Sequence, residues 1–248
     1  FAKNVYDVVA TDASGDTLEI RRPNLHQWDV AGHDGTVRVS YTLFGDRADG
    51  TYSGIDNTHA HLNIPATFMW ARGTAARPIR VTFDAPEDSG WRIATQLVPT
   101  ADAETFTAPD LAYFMDSPTE LSDHVLMTHT VGGGDGEQTL RIALHHLGTE
   151  QEARAYAERA WRIAGEQAAV FGEFPRFDYD TYTFIACYLP WVNGDGMEHR
   201  NSTILTSTSS LERNMTGLLG TVSHEFFHAW NMGRLRSDAL EAFDFEAG

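Results

Sequence analysis

Two histidines four residues apart with a glutamate after the first, His224-Glu225-Phe226-Phe227-His228, dictate their own backbone. Side chains four apart on a helix lie on one face, so both imidazoles can reach one tetrahedral Zn2+ at about 2.0–2.1 Å. The pattern therefore predicts a helix, and the residues around it extend that helix from about Leu211 to Trp230, with Phe226 and Phe227 able to bury it against a core. Glu225 falls beside the open coordination position, where it can take a proton from a metal-bound water. Zinc there would lower the pKa of that water and polarise a carbonyl. A chance grouping among eleven histidines is the competing explanation. The uncharged positions around the triad and the strand ahead of the helix favour the metal. His224 and His228 are thus candidate zinc ligands, and Glu225 is the candidate general base.

What precedes this helix changes character along the chain. Up to about residue 115, short runs rich in Val, Ile, Thr and aromatics are separated by Gly, Asp and Pro clusters, the pattern of β structure. Residues 36–44 alternate apolar and polar, and 79–83 repeat the theme. Pro118 makes a boundary, giving an all-β amino-terminal domain over residues 1–118. Beyond it, strands over about 124–130 and 138–146 flank the glycine-rich segment 132–136. That segment reads as a hairpin turn, because a phosphate-binding loop needs a helix directly after it. Residues 150–171 read as a helix stopped by Gly172 and Pro175. A strand over about 182–189, one polar strand over about 197–206 and the motif helix follow, so residues 119–248 are α+β.

The chain has 248 residues, of which 42% are hydrophobic and 21% charged, enough for two packed cores. Its net charge of −17 opposes the phosphates of nucleic acids and anionic membrane surfaces, so a nucleic-acid partner is excluded. No stretch reaches the roughly 18 apolar residues a membrane helix needs, and membrane insertion is not expected. The single Cys187 lies in the apolar run 183–189, where it forms no internal disulfide and reads as a small core residue. The first residue is Phe rather than Met and sits in what reads as a strand, so the chain is expected to be a fragment, with its compartment undetermined.

A second motif, Gly196-Met197-Glu198-His199, stands ahead of the first. A carboxylate on a strand bordering a metal cleft can hold the free ammonium of a peptide. Residues 196–203, Gly-Met-Glu-His-Arg-Asn-Ser-Thr, followed by His224-Glu225-Phe226-Phe227-His228-Ala229-Trp230-Asn231, resemble the glycyl aminopeptidase family of zinc peptidases. The opening residues 1–5 and Phe243-Asp244-Phe245 are also similar to it. The resemblance implies an amino-terminal β domain, then the first part of a thermolysin-like (gluzincin) catalytic domain, with a PDZ domain usually after it. It implies a peptide substrate, His224 and His228 as ligands, Glu225 as base, and Gly196, Met197 and Glu198 as substrate contacts. In the related aminopeptidase N family an Asn follows the Glu, whereas here His199 does, which leaves the amine-binding geometry open.

Catalytic zinc takes three protein ligands and a water. The third ligand of such sites is a Glu on a following helix; after His228 the glutamates are Glu241 and Glu246, neither in a convincing helix, so the third ligand is expected beyond Gly248. His59 with His61, and His145 with His146, read as surface or turn histidines rather than ligands. Arg234 and Arg236 suit the carbonyl end of the motif helix, with binding of a substrate carboxylate as the other possibility. Trp230 and Asn231 read as helix packing and a helix stop. The function these residues support is release of amino-terminal residues from peptides by metal-activated water. Two alternatives stay open: an endopeptidase in which Glu198 is structural, and a non-catalytic peptide-binding or scaffold protein.

Overall fold

The structure is a computed structural model that describes residues 1–132 and 136–235. After a single 3-10 turn over Ala2–Asn4, the first half runs β1 (Val5–Thr11), β2 (Glu19–Asn24), β3 (Gln27–Ala31), β4 (Arg38–Leu43), β5 (Gly54–Ile55), β6 (His59–Leu62), α1 (Ile64–Thr67), β7 (Ile79–Thr82), β8 (Arg92–Thr95), β9 (Val98–Pro99), β10 (Thr105–Ala108), α2 (Leu111–Met115) and β11 (Thr119–Ser122). These strands make two ribbons, β1-β4 and β2-β3, a three-stranded sheet β7-β10-β9 and a four-stranded sheet β5-β6-β11-β8. Their core gathers Ile64, Phe83, Phe106, Leu111, Phe114 and Leu121. Two short helices interrupt the β pattern, and α2 begins where Asp110 accepts a hydrogen bond from the Tyr113 amide.

The expected boundary at residue 118 falls one strand short of the sheet's edge in sequence. Residues 119–122 form β11, the inner strand paired with both β6 and β8, so the first β unit continues to Ser122. Pro118 introduces this strand instead of ending the sheet, because its missing N–H is not needed at the start of a strand.

Among the described residues the second half forms one five-stranded sheet with two α-helices. Its elements are β12 (Val125–Val131), β13 (Gln138–His146), α3 (Glu150–Phe171), β14 (Thr181–Tyr188), β15 (Asp195–Glu198), β16 (Ser202–Ser207) and α4 (Leu211–Phe227). The order is β12-β13-β14-β16-β15. The β12–β13 pair is antiparallel and closes at Val131↔Gln138, as the hairpin reading required. The β13–β14 and β14–β16 pairs are parallel, with α3 as the crossover between the first two.

The single polar strand expected over 197–206 is instead an antiparallel hairpin. β15 turns at 199–201 and pairs back on β16 with Met197 opposite Ile204 and Glu198 opposite Thr203. This puts β15 at the edge of the sheet, next to α4. The motif helix also ends at Phe227 rather than Trp230, although His228 keeps right-handed helical angles.

α3 is fixed at both ends. Thr149 and Glu152 form a reciprocal capping box, and Gly172 closes the helix with a left-handed φ of 86°. Its buried face is Tyr156 with a line of alanines, Ala153, Ala157, Ala160, Ala164 and Ala168, small enough for close packing. The core beneath it contains Leu140, Ile142, Phe184, Leu205, Val222 and Phe226. α4 is joined to α3 by Gln167, whose amide nitrogen donates to the Ser223 carbonyl at 2.7 Å. Phe226 is thus held under the sheet, and the opposite side of the same turn presents His224 to solvent. Among the described residues no helix is long and apolar enough to cross a membrane.

Candidate metal centre

The helical periodicity delivers what the spacing promised. Donor atoms of His224, Glu225 and His228 lie within 4.8 Å of one another, and the two imidazole rings sit edge to face with centroids 5.1 Å apart. Nδ1 of His228 lies 3.1 Å from the Asn231 carbonyl, so it carries the ring hydrogen and leaves Nε2 as a lone-pair donor. Asn231 therefore orients a candidate ligand as well as following the helix end. The donor set and this outer contact fit a divalent metal ion, with His224 and His228 as two of its ligands. Glu241 and Glu246, the carboxylates weighed as a third ligand within the sequence, lie outside the described residues, as does Arg236.

Glu225 is buried while His224 is exposed. Burial pushes the Glu225 carboxyl above its ordinary range. His224 and His228 lower it, and the negative charges of Glu198 and Asp195 add to the rise. The second motif is thus brought to the first: β15 runs alongside α4, near enough for the charges of Glu198 and Asp195 to act on Glu225. What permits this is Gly196. A Cβ at that position would stand 2.3 Å from Glu225 Oε1 and 2.8 Å from Thr221 Cγ2. Beside Gly196 a cleft of about 300 Å3 opens between the hairpin and the start of α4, lined in part by Asp195, Thr206, Asn214 and Thr221.

β15 is held from both sides. The Thr203 hydroxyl donates to the Met197 carbonyl at 2.9 Å, and the Gly50 amide from the first half donates to Asp195 Oδ2 at 3.1 Å. The turn after Glu198 is anchored to the first half too. His199 Nδ1 is 2.8 Å from Asp116 Oδ1, and the Arg200 amide donates to Asp116 Oδ2 at 2.9 Å. The Asn201 amide donates to Gln96 at 3.0 Å, and its side chain to the Tyr113 hydroxyl at 3.1 Å. His199 is therefore a strut between the two halves, which accounts for its place after Glu198. Asp116, Gln96 and Tyr113 are not legible in the sequence because they sit about 80–105 residues away from the turn they hold.

The histidines expected at the surface are placed otherwise. His59, His61 and His145 are buried rather than exposed, packed around the buried carboxylate of Glu120. Arg234 pairs with Glu173 at 2.6 Å, so its charge is satisfied within the protein. Trp230 is buried and stacks on Phe171, with centroids 4.7 Å apart. Cys187 is buried, as its apolar surroundings in sequence required.

The sequence pattern of the peptidase M61 N-terminal domain matches residues 1–123, and that of M61 glycyl aminopeptidases matches residues 217–248. The chain belongs to the M61 glycyl aminopeptidase family. The second M61 match spans both motif histidines and most of α4, and the first ends one residue past β11. A crystal structure of an aminopeptidase N family protein from Idiomarina loihiensis has a similar fold, with a TM-score of 0.78 at 22% identity. The alignment covers 99% of this M61 chain and 42% of that one. This chain therefore spans less than half the length of that relative. A search of the curated proteins finds no match.

Proposed function

We propose that this chain is the front part of a zinc-dependent aminopeptidase, which hydrolyses the amino-terminal bond of a peptide. The observation that supports the reading is the approach of β15 to α4 at Gly196, with Glu198 near enough for its charge to act on Glu225. His224 and His228 would hold the metal, with the remaining protein ligand supplied from outside the described residues. Bound there, Zn2+ supplies a Lewis acid and a water of lowered pKa. Glu225 takes the proton of the attacking water and passes it to the leaving amine. Its partly desolvated carboxyl suits that exchange, since a base with a raised pKa can also serve as an acid. Glu198 holds the free ammonium of the substrate by a charge-assisted hydrogen bond. β15 is an edge strand of its sheet, so its open backbone edge can align an extended peptide, with Gly196 and Met197 as backbone contacts.

The test uses the protein in its full natural length. Glu225→Gln removes the base while keeping shape, and kcat/KM on a dipeptide should fall by on the order of 10²–10⁴-fold. Unchanged hydrolysis would sink the proposal. Acetylating the substrate's amino terminus should abolish cleavage by the parent protein. Cleavage of acetylated peptides would mean an endopeptidase in which Glu198 is structural.

A further inference from the structure

A second set of metal-binding groups lies away from the HExxH helix, where the two halves of the chain meet. His59 comes from β6 and Glu120 from β11 in the first half, while His145 comes from β13 and Cys187 from β14 in the second. All four are buried, and one donor atom from each lies within 4.8 Å of the other three. From the geometry we infer that His59, Glu120, His145 and Cys187 form a closed, four-coordinate site for a structural divalent metal ion of the zinc type, joining the two halves.

The separations between donors are those an ion would impose. For metal–nitrogen and metal–oxygen bonds of about 2.0–2.1 Å and a metal–sulfur bond of about 2.3 Å, the edges of a tetrahedron are roughly 3.3 Å between nitrogen or oxygen donors and roughly 3.6 Å to sulfur. Here Glu120 Oε1 is 3.0 Å from His59 Nδ1 and 3.3 Å from His145 Nδ1. Cys187 Sγ is 3.7 Å from His59 Nδ1 and 3.9 Å from His145 Nδ1. Two nitrogens, one carboxylate oxygen and one sulfur suit a tetrahedral borderline-soft ion and disfavour magnesium or calcium.

The outer partners point the same way. Nε2 of His59 faces Asp56 Oδ2 at 3.7 Å, and Nε2 of His145 faces Asp123 Oδ1 at 3.4 Å. A neutral imidazole has one donor and one acceptor nitrogen. If each ring gives its Nδ1–H to Glu120, its bare Nε2 faces a carboxylate, acceptor against acceptor. An ion on the Nδ1 side removes the conflict, since both rings then take the Nε2–H form and turn that proton toward the charges of Asp56 and Asp123. Glu120 Oε2 is already engaged by His61 Nδ1 at 2.9 Å, and His61 Nε2 lies 3.0 Å from the Asp49 carbonyl. His61 thereby orients the carboxylate and leaves Oε1 for the ion. On binding, the Cys187 thiol loses its proton to solvent, and the thiolate's charge is compensated by the metal.

Cys187 is the chain's single cysteine and the His224-Glu225-His228 triad contains no sulfur, so a thiolate-to-cobalt band that disappears with Cys187 reports on this site. The full-length protein carrying His224→Ala and His228→Ala is produced in medium where Co2+ is the added transition metal. The expected product holds about one cobalt per chain with a thiolate-to-cobalt charge-transfer band, and Cys187→Ser in the same background loses that band. Cobalt bound without the band, or a folded protein without cobalt, overturns the inference. Should the double variant fail to fold, the parent protein with cobalt at both sites decides the matter in the same way: a band that Cys187→Ser removes supports the inference, and its absence overturns it.

Discussion

A methyl group on Gly196 would stand 2.3 Å from the Glu225 carboxylate, so Gly196→Ala separates β15 from α4 without touching either core. In the proposed function β15 holds the substrate, and moving such a strand by about 1 Å is enough to cost on the order of 100-fold in kcat/KM. The variant should show that loss with an unchanged circular dichroism spectrum. Full activity would mean the two elements need not meet. The residues of the metal centre are legible in the sequence to different degrees for a physical reason. His224, Glu225 and His228 share one helical turn, so their meeting follows from spacing alone. Glu198 can be suspected, but its position rests on a glycine whose necessity only the packing reveals. His59, His145 and Cys187 give no local sign at all, since His59 meets Glu120 across 61 residues and Cys187 across 128.

Elements show the same division. α3 matches its expected span over Glu150–Phe171 because both ends are set by local chemistry, the capping box at Thr149 and the left-handed Gly172. Removing that chemistry has a calculable effect. In Thr149→Ala the Glu152 amide loses the hydroxyl that accepts from it at 3.2 Å, costing about 1 kcal/mol. Urea unfolding should register the loss, and an unmoved midpoint would show that the first turn frays freely in the parent. The β15–β16 hairpin reads as one strand in the sequence because its turn, His199-Arg200-Asn201, contains neither Gly nor Pro. That turn is made by Asp116, Gln96 and Tyr113 from the other half, and no local rule can supply them.

At the scale of the whole molecule, polar groups join the two halves at several points. A boundary at residue 118 comes too early because Pro118 has the local chemistry of an end, whereas β11 carries the first sheet on to Ser122 and β12 begins at Val125. Between them sits His124, buried, with Nδ1 3.2 Å from the Ser122 hydroxyl. Burial, reinforced by the positive charge of Arg92 and by His145, pushes its pKa from 6.5 down to about 4, against the opposing pull of Glu120 and Asp123. The folded value lies below the unfolded one, so the proton binds preferentially after unfolding. This part of the stability is whole above the unfolded value of 6.5 and drains away as the pH falls toward about 4. Between about pH 7 and about pH 5 a single such group removes about 2 kcal/mol. His124→Gln keeps a polar side chain but cannot titrate. Urea unfolding of the two proteins at both pH values should show the parent losing about 2 kcal/mol more than the variant. Equal losses would place the acid sensitivity elsewhere and show that His124 reaches solvent while the fold stands.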